Sequence, residues 1–143
     1  MNKILPLSFC IALMVSATAS HAQSDSQRAA QPTTATQPPT VIDGALGPCS
    51  LQITVLTADG KPVAGADVKV HIAYGFGGFH KLDLEAGANS DGKVKFTGLP
   101  TRVRRPPLEF HASKDQLEGT LNYDPLVECQ ASHEMKLEKQ TAP

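Results

Sequence analysis

The chain predicts an all-β fold, a sandwich of short strands, and three observations carry that expectation. Apolar and polar residues alternate at a period of two from Cys49 onward. Turn residues, Asp59-Gly60 and Asn89-Ser90-Asp91-Gly92 among them, separate the alternating runs. The helical period of 3.6 residues is almost absent. Short strands with regular turn punctuation pack most economically as two facing sheets.

Residues 1–22 read as a signal peptide. Lys3 gives a basic start, Ile4 to Val15 is mostly apolar, and Ser20 and Ala22 are the small residues that a signal peptidase requires. Pro6 and Ser8 break the apolar run before it reaches the length of a membrane span. Cys10 follows the bulky Phe9 and comes too early for a lipid attachment site. A periplasmic or secreted protein is expected, with no stable membrane insertion after cleavage.

Residues 23–46 read as a disordered linker rich in Pro, Thr and Gln. "QSDSQRAAQPTTATQPPT" holds no large apolar side chain, so it has little surface whose burial would offset the entropy of ordering. One folded domain is expected over 47–138, followed by a flexible tail at 139–143. The whole chain has a formal charge of −1, and cleavage after residue 22 removes Lys3 and no acidic group. That balance gives no reason to expect a nucleic-acid partner. Two cysteines remain, Cys49 and Cys129. An even count in an exported chain favours a disulfide between them over two buried thiols.

Within the domain, Cys49, Leu51, Ile53 and Val55 share one face of the first strand. On the second, Ala66, Val68, Val70, Ile72 and Tyr74 point inward while Asp67, Lys69 and His71 point outward. Leu82, Leu84 and Ala86 continue the pattern, as do Val94 and Phe96, and then Leu108, Phe110 and Ala112. "QLEGTLNY" is a weaker strand, and the last one carries Ala131, His133, Met135 and Leu137 on one face.

"VLTADGKPVAGADVKV" and "AGANSDGKVKFTGLP" resemble stretches of prealbumin-like (transthyretin-like) domains, especially the carboxypeptidase regulatory-like modules. The matched pieces, Val55 to Val70 and Ala86 to Pro100, cover about a third of the folded part and hold structural turns. The resemblance implies a seven-stranded Greek-key sandwich, immunoglobulin-like in architecture, and implies no activity.

Enzyme signatures are absent: no HExxH, no GxSxG, no phosphate-binding loop and no dinucleotide fingerprint. A prealbumin-like hydrolase of purine breakdown ends in a YRGS-type motif, whereas this chain ends "HEMKLEKQTAP". A related sandwich in aromatic-ring dioxygenases holds iron with two tyrosines and two histidines. Tyr74 and Tyr123 are present here without a close His-x-His pair. His71, His80, His111 and His133 have no chelating spacing, so a metal would need a site assembled by the fold.

Two segments remain as candidate contact loops. "YGFGGFH" puts Tyr74, Phe76, Phe79 and His80 around three glycines, either as a core plug and hinge or as a partly exposed surface. "TRVRRPP" sets Arg102, Arg104 and Arg105 on a stretch that prolines keep out of a regular ladder. Guanidinium forks suit carboxylates and phosphates. The expected function is therefore a non-catalytic binding or accessory module that contacts a protein or glycan through these loops, with no cofactor. The alternatives are a periplasmic inhibitor or immunity protein, and a metal-binding periplasmic protein.

Overall fold

A computed structural model describes residues 36–140. The expected signal peptide, linker residues 23–35 and tail residues 141–143 lie outside the described residues. Eight strands follow one another: β1 (Thr40–Asp43), β2 (Cys49–Thr57), β3 (Asp67–Tyr74), β4 (His80–Gly87), β5 (Lys93–Leu99), β6 (Leu108–Lys114), β7 (Leu117–Tyr123) and β8 (Gln130–Lys139). A single 3-10 turn, Phe76–Gly78, interrupts them.

The alternation read from the sequence is the burial pattern. Leu51, Ile53 and Val55 of β2 are fully buried, as are Val68 and Ile72 of β3 and Phe110 of β6. Their neighbours Lys69, His71 and His111 face outward. Phe96, Phe110 and Tyr123 run through the core edge to face, with ring centroids 5.1 and 6.3 Å apart.

The architecture differs from a seven-stranded Greek-key sandwich. The strands form one eight-stranded sheet in the order β1-β5-β2-β8-β7-β6-β3-β4. The two four-stranded halves stay joined because β7 and β8 pair at one end, Leu117 with Lys139 and Glu118 with Glu138. The outer edges β1 and β4 approach each other just past β1, where Leu84 lies 3.1 Å from the position a Cβ would take on Gly44. The sheet is thus nearly closed into a barrel, which leaves little exposed strand edge.

The eighth strand, β1, comes from the stretch expected to be linker. The β-branched Val41 and Ile42 suit an extended backbone, and β1 lies parallel to β5 with Ile42 opposite Phe96. Asn89 holds the preceding segment. Its amide donates to the carbonyls of Gln37 and Pro38, at 3.0 and 2.8 Å, while its Oδ1 accepts from the N–H groups of Asp91 and Lys93.

Cys49 and Cys129 form the expected disulfide. It joins the start of β2 to the residue before β8, and these strands are parallel neighbours in which Ser50 pairs with Gln130. Strand directions then decide where the loops go. Since β2 and β8 are parallel, and β7, β6, β3 and β4 alternate in direction from β8, the β3–β4, β5–β6 and β7–β8 connections share one end of the barrel. The turns after β2, β4 and β6 lie at the other end.

Candidate functional site

The outward faces of β4, β3 and β6 form a polar floor. Strand pairing sets Lys69 opposite Glu85 on one side and His111 on the other, and sets His71 opposite Asp83. The Lys69 ammonium lies 3.1 Å from Glu85. His71 Nδ1 lies 2.5 Å from Asp83 Oδ1, so the carboxylate fixes the ring's orientation and leaves Nε2 free of that contact. His111 Nδ1 lies 3.4 Å from the Thr120 hydroxyl, and its Nε2 faces Glu109 at 3.4 Å. Of these two imidazoles, His71 is the one held by a short carboxylate contact.

Two loops rise beside this floor and enclose a cavity of about 620 Å³. His71 and His111 line its base, and Lys81, near the start of β4, lines it toward the loop end. Gly77, Gly78 and Phe79 of the β3–β4 connection form one wall, and Val103, Arg104, Arg105 and Pro107 of the β5–β6 connection form the other. The walls touch, since a Cβ added to Gly78 would collide with the Arg104 side chain; within the first wall, one added to Gly77 would lie 2.5 Å from the Phe79 ring. Both glycines have positive φ, 67° and 69°, which lets the segment bend back over itself. A second cavity of about 250 Å³ shares His71 and His111 and continues along the same face past Asp83.

The electrostatics of the larger cavity contrast with those of the chain. The protein has a net charge of −1, yet the cavity holds Lys81, Arg104 and Arg105 against Glu109 alone. Among the described residues none of these three cations makes an ion pair, whereas Lys69 lower on the face does.

Of the residues singled out in the sequence, Phe79, Arg104 and Arg105 come together at this cavity. Tyr74, Phe76, His80 and Arg102 are not on its lining. Tyr74 packs partly against the core and stacks on His80, centroids 5.4 Å apart. Phe76 and Phe79 are 95% and 81% exposed, so neither plugs the core. The 3-10 turn carries them away from it, and Leu108 and Tyr123 fill that end instead. Lys81, Asp83 and Glu109 were absent from the sequence candidates, and His71 figured there only among the histidines that a metal site would need the fold to assemble. The outward parity of His71 and its pairing across the β3–β4 hairpin are the signals that point to Asp83.

No family model matches this chain, and no curated protein matches it. Similar solved structures are catechol 1,2-dioxygenase from Pseudomonas arvilla C-1, with 15% identity over 73% of this chain and 57% of that one, at a TM-score of 0.49. 3-Chlorocatechol 1,2-dioxygenase from Rhodococcus opacus 1CP shows 13% identity over 71% and 65%, at 0.46. Hydroxyquinol 1,2-dioxygenase from Pseudomonas putida DLL-E4 shows 15% over 73% and 62%, at 0.45. This chain spans less than two thirds of each.

These structures correct the expectation of a non-catalytic binding or accessory module. All three are named as enzymes, and none of the three as a prealbumin or carboxypeptidase regulatory-like protein. At this identity the likeness concerns the scaffold and carries no activity across.

The residues here do not fit an iron held by two tyrosines and two histidines. The Tyr123 hydroxyl donates to the Cys129 carbonyl at 3.1 Å, with the Ser50 carbonyl at 3.5 Å, and Tyr74 lies against His80. Among the described residues no group of three or more His, Cys, Asp or Glu is arranged to hold a metal ion.

Proposed function

We propose that the larger cavity takes a small organic anion, and that His71 exchanges a proton with it. One observation carries this reading: an imidazole oriented by Asp83 stands at the base of a cavity whose rim bears three cations without carboxylate partners. The volume suits a small molecule. Arg104 and Arg105 offer forked donors to a carboxylate or phosphate, while Phe79, Val103 and Pro107 offer apolar surface to the rest of the ligand. His71 Nε2, free of the Asp83 contact, is the ring nitrogen placed to pass a proton to or from the ligand.

The resemblance of Val55–Val70 and Ala86–Pro100 to prealbumin-like modules supports the scaffold rather than this site. Its turns at Asp59-Gly60 and Asn89–Gly92 lie at the end of the barrel away from the cavity. We also keep export to the periplasm or beyond as part of the proposal, on the strength of the disulfide and the N-terminal segment.

Calorimetric titration with benzoate and with inorganic phosphate tests the site. Saturable binding is expected for benzoate, weakened about tenfold or more in R104Q/R105Q. Equal affinity in that variant, or no binding at millimolar ligand, would sink the proposal. Titrations in buffers of different ionisation enthalpy report proton uptake. It should be present in the native protein and absent in H71Q; equal uptake in both removes His71 from the role.

A further inference from the structure

Beyond the cavity, the barrel end that carries it has a surface of its own. Among the described residues five large apolar side chains are exposed, and four of them, Phe76, Phe79, Leu126 and Val127, belong to connections at this end. The turns at the opposite end present Asp59, Asn89, Ser90, Asp91 and Asp115, with no exposed large apolar group among the described residues. The domain is therefore polarised along its axis.

The aromatic tip is also cationic. Arg104 lies against Gly78, so the arginine loop and the phenylalanine loop touch; Arg104 and Arg105 line the same cavity as Phe79, and Arg102 and Phe76 are exposed on the same two loops. None of the three makes an ion pair among the described residues. Asp124 and Glu128 at the same end are engaged. Asp124 accepts from the Leu126 N–H at 2.9 Å, and Glu128 faces His133 at 3.1 Å. Exposed rings at loop tips, flanked by unpaired guanidinium groups, match a surface that is apolar beneath and anionic at its face.

We propose that this end docks on an anionic lipid bilayer, with Phe76 and Phe79 entering the interface and the three arginines on lipid phosphates. Charge complementarity selects the bilayer as occupant. Both rings sit on a short turn that projects from the barrel, so they reach the interface without any rearrangement of the core.

The protein has no tryptophan, so Phe76→Trp provides a single local reporter. Its emission should shift to the blue and be quenched by brominated lipid when the full chain meets vesicles of phosphatidylcholine and phosphatidylglycerol at roughly 3:1, and stay unchanged with phosphatidylcholine alone. A Ser90→Trp reporter at the far end should not respond, which separates docking by this end from attachment through any other part of the chain. Adding R102Q/R104Q/R105Q to the Phe76→Trp chain should reduce apparent affinity about tenfold or more and flatten its salt dependence. Phe76 is outside the cavity lining, so F76S should abolish docking and leave benzoate binding intact. Unshifted emission from the Phe76→Trp chain, equal shifts from the reporters at positions 76 and 90, or a shift produced by added protein and not by vesicles would each overturn the proposal.

Discussion

Reducing the Cys49–Cys129 bridge should remove about 4.5 kcal/mol of stability. The two cysteines are separated by 80 residues, so the bridge closes nearly the whole folded chain. In the chain-entropy treatment a loop of that length restricts the unfolded ensemble by about 15 cal/mol/K, which is about 4.5 kcal/mol at 25 °C. Domains of this size have only about 5–15 kcal/mol in total. Urea unfolding of the oxidised protein, compared with the same protein in reductant, leaves every atom of the core in place and isolates the cross-link. With a slope of about 1–2 kcal/mol/M, the midpoint should fall by about 2–4 M, and the slope itself should rise because the open chain exposes more surface. A loss under about 1 kcal/mol would refute the reasoning. It would mean that the unfolded chain is already compact, with the bridge constraining little.

Asn89→Ala removes four hydrogen bonds from one side chain and should cost about 1–2 kcal/mol. Amide exchange in β1 should accelerate with it, and unchanged protection there would show that Asn89 does not hold the segment before β1. Burial raises the Tyr123 pKa from its ordinary 10.0, and the nearby Glu128 and Asp124 charges raise it further. The folded state therefore holds that proton more tightly than the unfolded one. Its contribution is intact below about pH 10 and is lost as pH climbs through the raised folded value. Tyr123→Phe should lower stability at neutral pH by about 1 kcal/mol through the lost bond to Cys129 and should flatten the alkaline decline. A decline as steep as the native one would show that other groups cause it. Gly78→Ala puts a side chain at φ 69° and into the Arg104 stem. It should cost about 1 kcal/mol and weaken benzoate binding, and intact binding would detach Gly78 from the cavity wall.

Strand faces were legible because burial follows parity: Leu51, Ile53 and Val55, or Val68, Val70 and Ile72, name their own side of the sheet. β1 was not legible. It is four residues long, follows "QPP" directly, and gains its place from β5, more than fifty positions away. Closure into one sheet rests on two residue pairs between β7 and β8, and periodicity encodes no such register. The same limit applies to the site. Each loop could be found alone, through its glycines and aromatics or its arginines and prolines. That Phe79 and Arg104 face each other follows only from β3 lying between β4 and β6.

The charge arrangement makes the cavity separable from the fold. Lys69, low on the strand face, is paired with Glu85, and His71 with Asp83. Arg104, Arg105 and Lys81 at the rim are not paired among the described residues, and the two arginines are exposed. Exposed charges of this kind contribute little to folding, so replacing them leaves the core contacts of Phe110, Leu108 and Tyr123 unchanged. A group that the fold does not use, held beside an oriented imidazole by two loops in contact, has its physical consequence outside the protein: it acts on whatever anion enters. Loss of binding in R104Q/R105Q with unchanged unfolding would then report the site itself, and loss of stability in the same variant would show that the rim cations are structural after all.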